Sequence, residues 1–270
     1  MKNLALRLVS GVIFVVLLVG SILISPYTFA VLFAAIMALA IREFHQLTNK
    51  NPDIQVNTLI AVIGGVLLFI GAFVSASKLT DFPVYTIYGV YVIVILISEL
   101  FRKKQNPIHN WAYFVLGQIY TALPFALLNY ILYVNNYQPI ILLAVFISIW
   151  VNDTGAYCTG MLLGKHKLFK RISPKKTWEG FLGGAVFVLI SGYIFSRFIP
   201  ELTLLQWFIF SEIVVIFGTL GDLSESLIKR TLDVKDSGNA IPGHGGILDR
   251  FDSMIMAAPM VFLLLSLILK

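Results

Sequence analysis

Residues 222–252 form a polar segment between two apolar runs and hold side chains with the chemistry of a phosphate site. Four polar side chains of this segment are spaced at i, i+3, i+4 and i+7. They are two acids, a hydroxyl and a lysine: Asp222, Glu225, Ser226 and Lys229. A helix would carry all four on one face. Charge near lipid is costly, so a membrane chain that concentrates it usually builds a site there. We therefore expect this segment to be the functional site.

A glycine-rich loop follows this predicted helix. Residues 242–246 read Pro-Gly-His-Gly-Gly, and glycines such as Gly245 and Gly246 allow a bend that brings backbone N–H groups against a phosphate. Asp249 comes next, at the start of the last apolar run. Carboxylates and phosphate oxygens are the usual ligands of Mg²⁺, which needs only one or two protein carboxylates. We expect Asp222 and Asp249 to bind one Mg²⁺, with two metal ions as the alternative.

Basic residues around these acids suit a polyanionic substrate. Those expected to clamp phosphates are Lys229, Arg230, Lys235 and Arg250. Ser226 is expected to hydrogen-bond a phosphate, and Asp236 and Asp252 to support the metal ligands or to bind metal themselves. His244 either donates to a phosphate oxygen or orders the loop. The combination predicts phosphoryl or nucleotidyl transfer.

The elements that must position these residues are membrane helices. The chain has 270 residues, of which 58% are hydrophobic and 13% charged, against about 25% charged in a soluble domain. We predict an all-α polytopic membrane protein that forms one domain over residues 1–270, with 1–138 mainly scaffold and 139–270 the catalytic half. The first apolar run is about as long as a span and lacks a cleavage site, so we expect it to be retained. Nine spans are predicted near residues 4–24, 27–41, 56–76, 84–101, 111–129, 139–164, 179–196, 204–224 and 252–269.

The net charge of +6 follows membrane topology rather than nucleic-acid binding. All but three of the 20 Lys and Arg residues fall in alternating loops on one side, and the exceptions are Lys78, Arg197 and Lys270. The positive-inside rule then puts the N-terminus in the cytoplasm and the C-terminus outside. We expect an inner-membrane protein whose site faces the cytoplasm, with no nucleic-acid partner. His45, at the cytoplasmic end of the second span, is interpreted as an interfacial residue rather than a ligand.

The sixth span carries a polar group at its middle, which includes Asn152 and Asp153. Asp153 lies 12 residues from the cytoplasmic end, or ~18 Å along a helix, close to the centre of a hydrocarbon core ~30 Å thick. A carboxylate there needs a partner, a metal or a wet cavity. We expect Asp153, Tyr157 and Gly160 to line a cavity that opens to the cytoplasm. A buried structural pair with another span is the alternative.

The loop after this span ends in Ser-Pro-Lys-Lys-Thr at residues 173–177, just before the next helix. Lysines and hydroxyls at a helix N-terminus bind phosphate oxygens. We favour phosphate binding by Ser173, Lys175 and Lys176. Anchoring to anionic lipid headgroups is the alternative for the lysines.

The pattern of the polar segment resembles the signature of phosphatidate cytidylyltransferases, the integral membrane CDP-diacylglycerol synthases. It reads S-x-I-K-R over 226–230, K-D-x-G over 235–238 and I-P-x-H-G-G-I-x-D-R-F-D over 241–252, without departure. Two upstream stretches are also similar to the family: W-V-N-D-T-G-A-Y at 150–157 and S-P-K-K-T-W-E-G at 173–180. The resemblance covers roughly the C-terminal half of the chain.

This resemblance implies the reaction of CTP with phosphatidate to give CDP-diacylglycerol and diphosphate. It also implies that Asp222 and Asp249 bind metal and that the protein forms a homodimer among membrane lipids. The phosphatidate phosphate is already an anionic nucleophile, so no Ser or Cys nucleophile is needed. Catalysis would then consist of positioning and electrostatic stabilisation.

Two other functions are considered. A transporter or lipid flippase would use Asp153 as a proton or ion relay, but it would leave the glycine and aspartate segment unexplained. A CTP-dependent polyprenol kinase would release CDP and a phosphorylated lipid, whereas a cytidylyltransferase releases diphosphate and a CDP-lipid. Metal-dependent CTP turnover and its products distinguish the three. The D-G-x-x-A-R pattern of CDP-alcohol phosphatidyltransferases is absent from the sequence.

Overall fold

The computed structural model is a bundle of apolar helices with one small β-hairpin at one end. It describes residues 2–103, 106–238, 240 and 245–269, with side chains from residue 9 onward. The helices are α1 (Lys2–Ile24), α2 (Pro26–Thr48), α3 (Thr58–Ala76), α4 (Tyr85–Ser98), α5 (Pro107–Gly117), α6 (Leu123–Leu132), α7 (Pro139–Leu163), α8 (Trp178–Phe198), α9 (Leu204–Thr231) and α10 (Leu248–Ile268). A 3₁₀ turn (Glu99–Phe101) follows α4, a π-helical segment (Gln118–Ala122) joins α5 to α6, and the hairpin strands are β1 (Lys167–Phe169) and β2 (Ser173–Thr177).

Seven helical stretches of the described chain are long and apolar enough to cross a membrane. They are α2, α3, the continuous stretch Pro107–Leu132, α7, α8, α9 and α10. Two shorter apolar stretches, Val9–Ile24 and Tyr85–Phe101, coincide with two further predicted spans. The nearly all-α, multi-pass architecture predicted from composition is therefore confirmed. The count of nine spans and their direction stay predictions.

The helices begin where the sequence supplies capping groups. Thr177 ends β2 and caps α8, because its hydroxyl oxygen accepts from the N–H of Gly180 at 3.2 Å. Thr203 and Gln206 form a reciprocal capping box at the start of α9. Proline at the first turn of α7 removes a donor that would have no intrahelical partner. The turn between β2 and α8 therefore places the two lysines of β2 immediately before a helix N-terminus, as predicted.

The fifth predicted span contains a π-helical segment. Residues 118–122 form it just before Pro124, which has no N–H to donate. The Gln118 side chain donates to the carbonyl of Ala61 at 2.9 Å and connects this segment to α3. Gly117 is packed against the imidazole of His45.

Phe251 of α10 connects the C-terminal helix to the first half of the chain. Its ring lies 5.2–6.4 Å, centroid to centroid, from Phe14, Phe33, Phe125 and Phe146. These partners belong to α1, α2, α6 and α7. Aromatic contacts of this kind add to the burial of large apolar surface. The helix that carries Asp249 and Asp252 is therefore held in the scaffold core.

The connecting loops gather at two ends of the bundle. At one end, Asn110 accepts from the N–H of Gln55 at 2.7 Å and Arg102 donates to the Gln55 carbonyl at 2.9 Å. At the other, the Tyr137 hydroxyl donates to the carbonyl of Ile22 at 2.8 Å. The turns after α2 and α4 thus lie together, as do the end of α1 and the turn after α6.

Candidate functional site

A cavity of about 420 Å³ lies between α7, the β-hairpin, α8, α9 and the start of α10. Its volume is within the range of small-molecule sites, roughly 300–1,000 Å³. Its polar lining includes five predicted site residues: Asn152, Asp153, Lys175, Lys176 and Asp222. Its apolar lining includes Ala156, Tyr157, Met161, Leu168 and Phe181. A cavity therefore lies beside Asp153, as predicted, and its lining combines charged and apolar side chains.

Asp222 is held by one residue from β2 and one from its own helix. Its Oδ2 lies 2.6 Å from Nζ of Lys176. Its Oδ1 accepts from the Ser226 hydroxyl, one turn along α9, at 3.2 Å. Both members of the ion pair keep about 30% of their side-chain area exposed, at 28% for Lys176 and 30% for Asp222. The pair is therefore reachable from the cavity.

Lys229 forms a second, more buried cluster one turn further along α9. Its Nζ lies 2.7 Å from Oε2 of Glu225 and 2.6 Å from Oδ1 of Asp249. Only 13% of the lysine side chain is exposed. The helical face predicted for Asp222, Glu225, Ser226 and Lys229 is confirmed, because α9 continues through Thr231 and both i, i+4 pairs are in contact. This face joins α9 to α10.

Asp249 also orders the loop that precedes it. Its Oδ2 accepts from the N–H of Ser237, the hydroxyl of Ser237 and the N–H of Gly246, each at 2.9 Å. Gly245 has φ +85°, a conformation that favours glycine, and a Cβ there would lie 2.9 Å from Oδ2 of Asp249. The second half of the glycine loop therefore folds around this carboxylate. Contact of Gly245 and Gly246 with a phosphate stays a prediction.

The other predicted residues are placed less centrally. Arg230, Lys235, Asp236 and Arg250 are exposed, and Ser173 is half-buried at the start of β2. None of these five lines the cavity in the described part of the chain. The Asp252 carboxylate accepts from the N–H of Ser253 at 2.6 Å, and Ser253 lines the cavity. His244 lies outside the described residues.

The carboxylates of the two clusters form one electrostatic network. Asp252 interacts with both Asp153 and Asp222, and Glu225 interacts with both Asp252 and Asp249. Arg250 and Lys176 contribute the positive charge felt by Asp153. Neighbouring carboxylates repel one another unless cations or protons compensate them. Lys176 and Lys229 therefore compensate part of this negative charge, at Asp222 and Asp249 respectively.

The donor atoms fit a hydrated Mg²⁺ that also uses substrate oxygens. Carboxylate oxygens are the hard ligands that Mg²⁺ prefers, and one or two are enough when substrate phosphates and waters complete the shell. Across residues 9–103, 106–238, 240 and 245–269, no group of three or more His, Cys, Asp or Glu side chains is placed to hold a metal without such help. A cation shared by Asp222 and Asp249 would compete with Lys176 for the first and Lys229 for the second. Magnesium and the number of ions stay predictions.

Sequence reasoning missed two residues of this site, Glu43 and Ser237. Glu43 and His45 are both buried in the protein, at 6% and 0% exposed, and the interfacial position expected for His45 stays a prediction. Oε2 of Glu43 accepts from the N–H of Leu248 at 3.0 Å and from the Ser237 hydroxyl at 3.2 Å. The available signal was an acid in an apolar helix of the scaffold half. Its partners are about 200 positions away, which no local pattern indicates.

These features define a multi-pass membrane protein with a cavity lined by charged and apolar side chains. The family model described as the cytidylyltransferase family matches residues 5–268, and the chain belongs to that family. It is therefore a nucleotidyltransferase, and the transporter alternative is set aside.

Similar curated proteins are named phosphatidate cytidylyltransferase. Those of Bacillus subtilis, Staphylococcus saprophyticus and Haemophilus influenzae are 33%, 32% and 31% identical to this chain. The alignments cover 99%, 93% and 94% of this chain and 99%, 92% and 95% of the relatives. The similarity thus extends from the C-terminal half, where the motifs lie, to nearly the whole chain.

Proposed function

We propose that this protein transfers the cytidylyl group of CTP to phosphatidate, giving CDP-diacylglycerol and diphosphate. The observation that carries the proposal is the mixed lining of the cavity. Lys175 and the ion pair of Lys176 with Asp222 supply charged groups, whereas Met161 and Phe181 supply apolar surface. An amphiphilic substrate with a phosphate headgroup matches both. Near-complete alignment with proteins named for this reaction supports the same choice.

In this reaction a phosphatidate phosphate oxygen attacks the α-phosphorus of CTP. The bond from that phosphorus to the oxygen bridging to the β-phosphorus breaks, and diphosphate leaves with the electron pair. The nucleophile is already ionised, so the protein need not remove a proton from it. The main obstacle is bringing two polyanions together. Lys175 and Lys176, at the N-terminal end of α8, would neutralise phosphate charge as the two approach.

The clustered basic residues would hold the departing diphosphate. Lys229 is fixed between two acids, whereas Arg230, Lys235 and Arg250 are exposed. His244 and the glycine loop are assigned to the same role. Mg²⁺ would be held by Asp222 and Asp249, where, when bound, it neutralises phosphate oxygens and stabilises the charge of the leaving group.

We further propose that the chain spans an inner membrane nine times, with the N-terminus and the site on the cytoplasmic side and the C-terminus outside. The support is the distribution of basic residues and the meeting of the hairpin with the polar ends of α9 and α10. The homodimer implied by the resemblance is part of this proposal. The mass of the purified protein in detergent, after subtraction of bound detergent, tests the homodimer.

Purified protein, cytidine-labelled CTP, phosphatidate and Mg²⁺ test the reaction. We expect the label to enter a lipid-soluble product with stoichiometric release of diphosphate. Diacylglycerol in place of phosphatidate is the matched control and should give neither product. Release of CDP together with a phosphorylated lipid would contradict the proposal and favour a lipid kinase. Chelation of divalent cations tests the metal, because it should stop turnover and added Mg²⁺ should restore it.

A further inference from the structure

A buried acid of the scaffold half touches the catalytic half at the start of its last helix. Glu43 lies in α2 and is 6% exposed. Its Oε2 accepts from the backbone N–H of Leu248, the first residue of α10, at 3.0 Å. The residues are 205 positions apart in the sequence. This hydrogen bond therefore links two parts of the fold that neither the motifs nor the charge pattern connect.

Glu43 supplies the cap that α10 lacks. The first N–H groups of a helix have no intrahelical acceptor, and a side-chain oxygen at the N-cap usually satisfies one of them. The N-cap of α10 is Ile247, whose side chain has no acceptor and makes no capping hydrogen bond. A carboxylate from α2 takes this place, and its negative charge also suits the positive end of the helix. The start of α10 is thus fixed from outside its own segment.

Ser237 connects this cap to Asp249. Its hydroxyl lies 3.2 Å from Oε2 of Glu43 and 2.9 Å from Oδ2 of Asp249, and it accepts from the N–H of Asp249 at 3.3 Å. Ser237 itself is 5% exposed. Two carboxylates from opposite halves of the chain thus converge on one hydroxyl group.

Two glycines leave the space in which the Glu43 carboxylate lies. A Cβ at Gly238 would lie 2.6 Å from its Oε1, and a Cβ at Gly246 would lie 2.5 Å from its Oε2. Both separations are shorter than any real Cβ contact, so larger residues would push the carboxylate away. These glycines lie within the segment that carries the family resemblance. Their small size therefore serves the approach of Glu43 as well as the bend of the loop.

We infer that Glu43 is a positioning residue for the transfer reaction. It holds the first turn of α10 and the Ser237 hydroxyl, and through them it fixes the Asp249 carboxylate that faces Lys229. The expected effect on kcat rests on the proposed function. Glu43 itself does not line the described cavity, so it would act through other residues. The structural content of the inference is that an acid of α2 positions Ser237 and the first turn of α10.

The test replaces Glu43 by glutamine in the full-length purified protein. Glu43→Gln keeps the size and one acceptor oxygen but removes the charge that faces the helix end. We expect kcat to fall about 10- to 100-fold, because displacement of a catalytic group by about 1 Å has that effect, with the KM for CTP changed much less. Glu43→Ala should lower kcat further. In the double variant Glu43→Gln with Ser237→Ala, the fold-decrease in kcat should be smaller than the product of the fold-decreases in the two single variants. The reason is that both substitutions act on one contact.

Glu99→Gln is the matched control. Glu99 is another acid of the scaffold half, 5% exposed, and it accepts from Arg102 at 2.7 Å and Asn110 at 2.5 Å. Its substitution should lower thermal stability while leaving kcat near wild type. Wild-type kcat in Glu43→Gln, or an equal loss of kcat in Glu99→Gln, would overturn the inference.

Hydrogen exchange separates this inference from the proposed reaction. Amides of residues 237–238 and 246–249 should exchange faster in Glu43→Gln than in wild type, with unchanged exchange at residues 139–163. That measurement needs no turnover, so it stands even if the wild-type protein makes no CDP-lipid. Unchanged exchange at residues 237–238 and 246–249 would overturn the positioning role, whatever the activity assay gives.

Discussion

Asp222 and Asp249 form ion pairs with different lysines, although both were predicted to bind the same Mg²⁺. Lys176 comes from the hairpin and Lys229 from α9, so each acid already has a counter-charge. Removing an acid therefore has two effects: one oxygen donor to a cation is lost, and one ammonium group is left without its partner. The predicted loss of activity follows from either effect.

Replacement of either acid by asparagine should abolish measurable turnover. We expect Asp222→Asn and Asp249→Asn each to lower kcat by at least ~10²-fold, the scale seen when one electrostatic contact to a transition state is removed. Size is kept, so both variants should remain folded in the membrane. The assay is CDP-lipid formation at saturating CTP, with circular dichroism as the check on folding.

Asp53→Asn is the control for this pair. Asp53 is exposed in the turn after α2 and its N–H only contacts Asn51. Its substitution should leave both kcat and fold unchanged. Wild-type rates in Asp222→Asn and Asp249→Asn would contradict their assignment to the metal.

The two lysines of β2 should act on nucleotide binding more than on the chemical step. Both line the cavity at the N-terminal end of α8. We expect Lys175→Ala combined with Lys176→Ala to raise the apparent KM for CTP about tenfold or more, because charge-assisted contacts to phosphate contribute roughly 1.5–3 kcal/mol each. Steady-state kinetics over a CTP series measures the change.

Lys170→Ala is the control for charge alone, since Lys170 is exposed at the hairpin turn and outside the cavity lining. It should leave the KM unchanged. If the double variant altered only the amount of protein in the membrane, the lysines would be lipid anchors instead.

At the scale of elements, the site depends on close contacts between neighbouring helices. A Cβ at Gly221 of α9 would clash with the carbonyl oxygen of Asp252 of α10. A Cβ at Gly180 of α8 would lie 2.8 Å from the carbonyl oxygen of Ala156 of α7. Small residues allow membrane helices to approach in this way. The depth of the cavity is therefore set partly by the absence of side chains at these two positions.

Alanine at these glycines should destabilise the bundle. We expect Gly221→Ala or Gly180→Ala to lower the free energy of unfolding by about 1–3 kcal/mol, the usual effect of overpacking, and to lower the Tm in detergent. Gly89→Ala on α4 is the matched control, because a Cβ there meets nothing within 4 Å. It should be neutral or raise the Tm. Equal Tm values for all three variants would contradict the close-packing argument.

Local spacing predicted some of these elements and not others. The i, i+3, i+4 and i+7 placement from Asp222 to Lys229 indicated that α9 continues through its polar end, and it does. The hairpin was expected only as a loop, because strands of three and five residues carry too little alternation to be recognised. The π-helical segment was missed as well. It depends on contacts with α2 and α3, which the sequence of the segment does not encode.

At the scale of the whole molecule, charge asymmetry predicts sidedness. With Cys158 replaced by serine, single cysteines at Asp53 and Lys170 should lie on the cytoplasmic side and one at Asp81 outside. In right-side-out vesicles a membrane-impermeant maleimide should label Asp81→Cys directly. It should label Asp53→Cys and Lys170→Cys only after permeabilisation. The reverse pattern would contradict both the orientation and the cytoplasmic site.

The sequence indicated the membrane class, the helices and most cavity residues, because each rests on composition or on spacing within one helix. It did not indicate which scaffold residues support the site. Glu43 and Leu248 are 205 positions apart, and the aromatic partners of Phe251 lie on four different helices. Contacts of this range depend on tertiary packing, which one sequence does not reveal.

The contact between α2 and α10 also has a consequence for biosynthesis. A ribosome makes Glu43 205 residues before Leu248, so this acid enters the membrane long before the N–H group that donates to it has been made. Asp249 follows Leu248 and is made after it. By that time α2, which carries Glu43, is already in the membrane. A nascent chain should therefore hydrolyse or transfer no nucleotide during insertion. A chain truncated before α10 should have no activity.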